Sequence, residues 1–186
     1  MPTTILKLTA TAIALLLLFF LTACNSDAES TRDIPAVKKL DLPRYMGKWY
    51  EIARLPHAFE RNVTDAMAEY TLLTDGTVKV VNSGLRFRKP VSVTGVACPT
   101  AVPGELKVSF FRPFYELYKI IYLNKDYTLA IVTSSTRDYV WIMARKPVIS
   151  RAELAEALAL LHRWNFEVNL LQYPSGMVLK LIETRP

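Results

Sequence analysis

The stretch "ELKVSFFRPFYELYKIIYL", residues 105–123, reads as two strands around one turn. In "ELKVSFF", Lys107 and Ser109 take one face, and Leu106, Val108 and Phe110 take the other. In "YKIIYL", Lys119 must face water, so Tyr118, Ile120 and Tyr122 face inward. Arg112 and Pro113 mark the turn between them. The same grammar runs outward in both directions. "KWYEIAR" (48–54), "AMAEYTLLT" (66–74), "GTVKVVNSG" (76–84), "VSVTGVAC" (91–98), "TLAIVTSS" (128–135) and "DYVWIMA" (138–144) are short and rich in β-branched or aromatic residues. Turn chemistry separates them at Asp75-Gly76, Pro103-Gly104 and Asn124-Lys125-Asp126.

That makes eight strands with short connections, so neighbours pair as antiparallel hairpins. Eight such strands leave two raw edges unless the sheet closes, and closure removes both. The expected fold is therefore all-β, an eight-stranded up-and-down antiparallel barrel. A barrel of this size either fills its interior with side chains or holds one small ligand. On residues 139–145, Tyr139, Trp141, Met143 and Arg145 share one face. Val140, Ile142 and Ala144 make the other face apolar too, as a docked helix requires. That helix follows at about 150–164. Ser150 and Glu153 have capping-box spacing, and Leu154, Leu158 and Leu161 form one stripe. "FEVNLLQY" (166–173) is expected to add a last short strand.

The N-terminus carries a different signal. Residues 8–23 are apolar or small without charge, preceded by Lys7. This is shorter than the roughly 20 residues of a membrane span and has the zones of a secretory signal. Leu21-Thr22-Ala23-Cys24 resembles the bacterial lipobox. The resemblance implies cleavage after residue 23 and a diacylated Cys24 that holds the protein to a membrane surface. Asn25, where an aspartate would retain such a protein at the inner membrane, implies the outer membrane of a Gram-negative cell, facing the periplasm. The domain plan is a signal at 1–23, a lipidated N-terminus and tether at 24–40, a barrel at 41–174 and a tail at 175–186. Cys98, the second of two cysteines, is left without a partner and reads as a small apolar strand residue. The formal charge of +6 is scattered, with no run of Lys or Arg longer than two, so nothing suggests nucleic acid.

"GKWYEIARLPHAFER" (47–61), with Gly47 and Trp49, resembles the first signature of the lipocalin family. Lys125-Asp126-Tyr127 resembles the second, with lysine in the threonine position. Arg145 in "WIMARKP" resembles the third. The likeness covers about residues 41–174 and is greatest to the lipid-anchored bacterial lipocalins. It implies that Trp49 sits at a closed barrel floor with Arg145 packed over it, and that Asp126 and Tyr127 turn at the same end. These are structural roles. It also implies a calyx for a fatty acid or lysophospholipid, used in lipid storage or transport for envelope maintenance. Tyr70, Phe110, Tyr118, Tyr122 and Trp141 are the wall candidates, and Arg112 is a candidate for a phosphate or carboxylate at the mouth. No cofactor or metal is expected. His57, His162 and Cys98 are separated, and Glu51, which shares the parity of Trp49, is a lone inward carboxylate, so an enzyme is disfavoured. A filled barrel acting as an interaction scaffold is the alternative, and a homodimer fits either reading.

Overall fold

The computed structural model describes residues 28–174. The signal, Cys24 and the tail from residue 175 lie outside the described residues. The strands are β1 (Gly47–Arg54), β2 (Val63–Leu72), β3 (Val78–Arg86), β4 (Lys89–Pro99), β5 (Glu105–Phe111), β6 (Phe114–Leu123), β7 (Leu129–Thr133) and β8 (Val140–Ala144). Each pairs antiparallel with its successor, and β1 pairs with β8 to close the barrel. Two helices flank it: α1 (Leu42–Tyr45) and α2 (Arg151–Arg163).

The apolar residues form two cores, one on each side of the sheet. Inside the barrel lie Trp49, Tyr70, Val78, Leu106, Ile120 and Met143. Outside it, Ile52, Ile131, Val140 and Ile142 meet Ala157 and Leu161 of α2, with Leu154 and Leu158 at the margin. Period-two strands that are apolar on both faces thus bury one face in the calyx and the other under the helix. The helix begins at Ser150, whose Oγ accepts from the Glu153 amide at 3.2 Å while the Ser150 amide donates to Glu153 Oε2 at 2.8 Å. Such a box contributes about 1 kcal/mol. Asn165, in the left-handed region at φ 58°, ends it.

Register shifts interrupt the ladder in four places, and two of them, on β6–β7 and β5–β6, correct the expected alternation. Between Ile120 and Tyr122 the β6–β7 register shifts. Ile121 and Tyr122 both fall on the outer side, and Leu123 returns to the inner core. Tyr122, expected on the ligand wall, instead donates its hydroxyl to Glu156 of α2 at 2.7 Å. Between Val108 and Phe111 the β5–β6 register also shifts. Ser109, expected to face water, is buried.

The N-terminal segment overturns two further expectations. Residues 30–40, read as part of a tether, pack on the barrel, with Ile34 in the outer core and Val37 and Leu40 against the inner core at the closed end. The Val37 amide donates to the Ile120 carbonyl at 2.9 Å, and Ile34 is fully buried. Lys119 does point away from the barrel interior, but the segment covers it. Its Nζ donates to the carbonyls of Thr31 at 3.1 Å and Ile34 at 3.2 Å, with Glu105 at 3.5 Å. A buried ammonium is tolerable because its protons are matched by those acceptors. Arg137 fastens the same segment higher up. It donates to the carbonyl of Ser30, to Asp33 at 2.5 Å, and to the Trp164 carbonyl at the end of α2 at 2.9 Å. The expected strand over 166–173 does not form. A 3₁₀ turn at Val168–Leu170 takes its place, with one bridge from Gln172 to Arg54.

Candidate functional site

The barrel encloses a cavity of about 770 Å³, within the range of small-molecule sites. One end is shut. Trp49 lies fully buried on the floor, and its Nε1 donates to the Tyr45 carbonyl at 2.8 Å. Arg145 stacks over the indole, Cζ 4.0 Å from the ring centroid, a contact of roughly 0.5–2 kcal/mol. Its nitrogens donate to four backbone carbonyls, those of Tyr127, Lys48, Arg44 and Tyr45. Gly47 takes φ +90°, a backbone conformation that favours glycine, and it lies beside Arg145 Nη1. Asp126 and Tyr127 lie in the β6–β7 turn at this same end. The Tyr127 hydroxyl accepts from the Asp41 amide at 2.9 Å, and Arg44 stacks on its ring.

Above the floor, Tyr118 joins two other tyrosines. Its hydroxyl lies 2.7 Å from that of Tyr45 and 3.0 Å from that of Tyr70. Burial raises all three phenols, Tyr70 to about 12, so they stay neutral and bond to one another. Tyr70 and Tyr118 thus line the deep end of the cavity. Tyr45 was not legible as a site residue, because it reaches the cavity from α1, outside the strand pattern. The walls between floor and mouth are Val78, Val80, Leu106, Val108 and Met143.

The upper cavity is different. Trp141 and Tyr139 stack with ring centroids 6.1 Å apart, and Phe59 and His57 join them. Phe110 lines the opposite side, its ring lying where a β-carbon on Gly95 would be. Arg112 does not line the cavity; it is exposed at the tip of the β5–β6 hairpin. Glu51 does face inward. A bulge between Glu51 and Ala53 sends Ile52 and Ala53 to the outer core and turns Arg54 back toward Glu51. Arg54 donates to Glu51, and its Nε lies 3.7 Å from Glu60. Trp141 Nε1 donates to Glu60 at 3.2 Å, and His57 Nε2 lies 2.8 Å from the same carboxylate oxygen.

Two carboxylates thus share one guanidinium. Burial, reinforced by the nearby Glu60 charge, pushes Glu51 up to about 8 against the pull of Arg54. Burial works to raise Glu60 as well, but His57, Trp141 and Arg54 outweigh it and hold that carboxyl below its ordinary value. Asn82 Oδ1 and Ser109 Oγ also line the cavity, buried and without a hydrogen bond among the described residues. The inner parity of Tyr139 was visible in the sequence. Glu60 and Asn82 were not, since their roles depend on which strands meet across the barrel. Cys98 lies on β4 opposite Lys107, and His162 is exposed on α2.

A closed eight-stranded calyx with a Trp–Arg floor and an external helix defines a class, and the comparisons agree. The Lipocalin-like domain model matches residues 40–175, so the chain belongs to the lipocalin family. Within it, the chain is 40% identical over 157 residues to outer membrane lipoprotein Blc of Citrobacter freundii, covering 82% of this chain and 88% of that one. It is 35% identical over 158 residues to the Blc of Vibrio cholerae, covering 82% and 91%. Among solved structures, insecticyanin from Manduca sexta aligns with a TM-score of 0.66 at 17% identity, covering 79% of this chain and 86% of that one, which supports the fold.

Proposed function

We propose that this lipocalin is a lipid-anchored protein of the outer membrane, facing the periplasm, that holds a fatty acid or lysophospholipid for storage or transport. The observation that carries this reading is the cavity of about 770 Å³, open at one end and walled mainly by aliphatic and aromatic side chains. An acyl chain lies along Val78, Val80, Leu106 and Met143, with its tip above the tyrosine cluster. Trp141, Phe110 and Tyr139 clasp it nearer the mouth, where Asn82 and Ser109 offer unused polar atoms to its head. Beside the cavity Arg54 pairs with Glu51 and Glu60, and His57 with Glu60, a set of ion pairs that fits a positioned binding wall better than catalysis. The lipobox-like stretch ending at Cys24 and the likeness to the Blc outer membrane lipoproteins support the anchor and its membrane.

Native mass spectrometry of the Cys24→Ala form with added lysophospholipids and fatty acids tests the cavity. A one-to-one complex displaced by a competing amphiphile is expected; no complex with any amphiphile refutes the carrier reading. Membrane fractionation of Cys24→Ala tests the anchor. With residues 1–23 removed, as checked by mass spectrometry of the N-terminal peptide, the protein is expected in the soluble fraction, and undiminished, salt-resistant membrane association of that cleaved form refutes acylation.

A further inference from the structure

The exposed phenylalanines of the described chain all lie at one end of the barrel. Phe87 is 74% exposed at the tip of the β3–β4 hairpin, and Phe111 and Phe114 are 75% and 71% exposed at the tip of β5–β6. Phe59 and Phe110 sit beside them and line the cavity's mouth. Among the described residues, the exposed large apolar side chains at the closed end are only Leu72, Leu73 and Val102. The aromatic tips are also cationic. Arg86, Arg88 and Lys89 flank Phe87, and Arg112 lies between Phe111 and Phe114. Neither tip, 86–89 or 111–114, contains an acid. The acids at this end lie back from the tips: Asp65, Glu116 and Asp138, Glu29 and Asp33, which pair with Arg137, and Glu51 and Glu60, which pair with Arg54 inside the mouth. Apolar rings protruding among guanidinium and ammonium groups match a lipid interface, with phosphates outside and acyl chains beneath.

A second observation points the same way. The N-terminal segment leaves the fold at the mouth. Ser30 bridges Thr136 in the β7–β8 loop, and the Arg137 amide donates to the Glu29 carbonyl at 2.8 Å. That loop joins β7 to β8 at the open end, opposite the Trp49 floor. Cys24 is six residues before Ser30, and six residues reach at most about 20 Å. An acyl anchor at Cys24 therefore holds the open end, rather than the floor, near the bilayer.

We infer that the mouth of the calyx docks on an anionic phospholipid surface, hairpin tips 86–89 and 111–114 first, so that the cavity opens toward the leaflet holding the anchor. The anchor's part in this rests on the Cys24 reading above; the aromatic and basic rim stands without it. Docked in this way, an amphiphile leaving the leaflet enters the calyx without crossing water.

The test uses the full mature protein carrying Cys98→Ser, with a nitroxide on Arg88→Cys at the mouth or on Asp75→Cys at the closed end. The N-terminal peptide is checked for acylation by mass spectrometry. The protein is reconstituted in vesicles of phosphatidylethanolamine and phosphatidylglycerol, and each label's collisions with oxygen and with a water-soluble nickel chelate are compared. With the acyl group present, the mouth label is expected in lipid and the Asp75→Cys label in water. Both labels in water overturns docking and leaves the lipoprotein reading intact. An unacylated peptide refutes the anchor, and the same variants carrying Cys24→Ser, which leaves one thiol for the nitroxide, are then mixed with preformed vesicles. Movement of the mouth label into lipid supports the rim, and its absence overturns it. Dipolar broadening between mouth labels of two copies means that a second chain covers this face, which also overturns the inference. Arg88→Gln and Lys89→Gln, in unacylated protein, are each expected to weaken vesicle binding about fivefold; unchanged affinity contradicts the assigned tips.

Discussion

The two ends of this barrel are built to opposite standards. At the closed end Trp49 is fully buried, Arg145 meets four carbonyls and the indole, and three tyrosines satisfy one another. At the open end phenylalanines face outward, two cavity oxygens lack partners among the described residues, and Phe87 and Arg88 take φ values of 51° and 63°. A left-handed pair at a hairpin tip is ordinarily Asn-Gly, and each side chain forced there costs roughly 1–2 kcal/mol. Stability is concentrated at the shut end, and surface that is costly in water is kept at the end where the proposed ligand and bilayer would meet the barrel.

The sharpest way to break this contrast is Trp49→Ala. It is expected to destabilise the fold by about 3–5 kcal/mol in denaturant titration. A loss under about 1 kcal/mol would remove the floor from its structural role. Next, Tyr118→Phe leaves the hydroxyls of Tyr45 and Tyr70 without their shared partner, at an expected cost of about 2 kcal/mol in the same titration.

At the open end the effects should move to binding. Trp141→Ala is expected to weaken fatty-acid or lysophospholipid affinity about tenfold, or about 1.4 kcal/mol, by isothermal calorimetry. Its effect on melting should be smaller than that of Trp49→Ala. Unchanged affinity would place Trp141 outside the ligand contact.

Glu51 faces the cavity two residues along β1 from Trp49. The folded state holds its proton up to about pH 8, whereas an unfolded glutamate loses it near pH 4.5. Between those values the folded state binds the extra proton, so stability falls as pH rises, by up to about 1.4 kcal/mol per unit. Glu51→Gln is expected to flatten that slope in melts from pH 5 to 8. An identical slope would assign the pH dependence elsewhere. The smallest expected change is a gain. Phe87→Asn with Arg88→Gly should raise stability by about 1 kcal/mol in denaturant titration while weakening vesicle binding. A destabilised double variant would mean that the rim supports the fold after all.

How much of this was legible before the structure follows from distance along the chain. "DYVWIMA" showed Trp141 and Met143 on one face and Val140 and Ile142 on the other, and those faces are the inner and outer cores. Ser150 and Glu153 announced the helix. Tyr122 was misassigned because a bulge adds one residue to the count, and alternation then inverts every later side chain. Lys119 was misassigned because its acceptors lie at Thr31 and Ile34, more than eighty residues away.

The sequence by itself determined the eight strands, their sequential pairing, the external helix and the Gly47-Trp49 and Arg145 signature, because period-two alternation, turn residues and caps act over a few neighbouring positions. Only the tertiary structure decided which charges share the calyx, how Tyr45 shuts its floor and why the N-terminal segment leaves at its mouth. Those outcomes depend on which distant segments cover one another, and burial, bulges and hydrogen-bond matching settle that when the barrel closes.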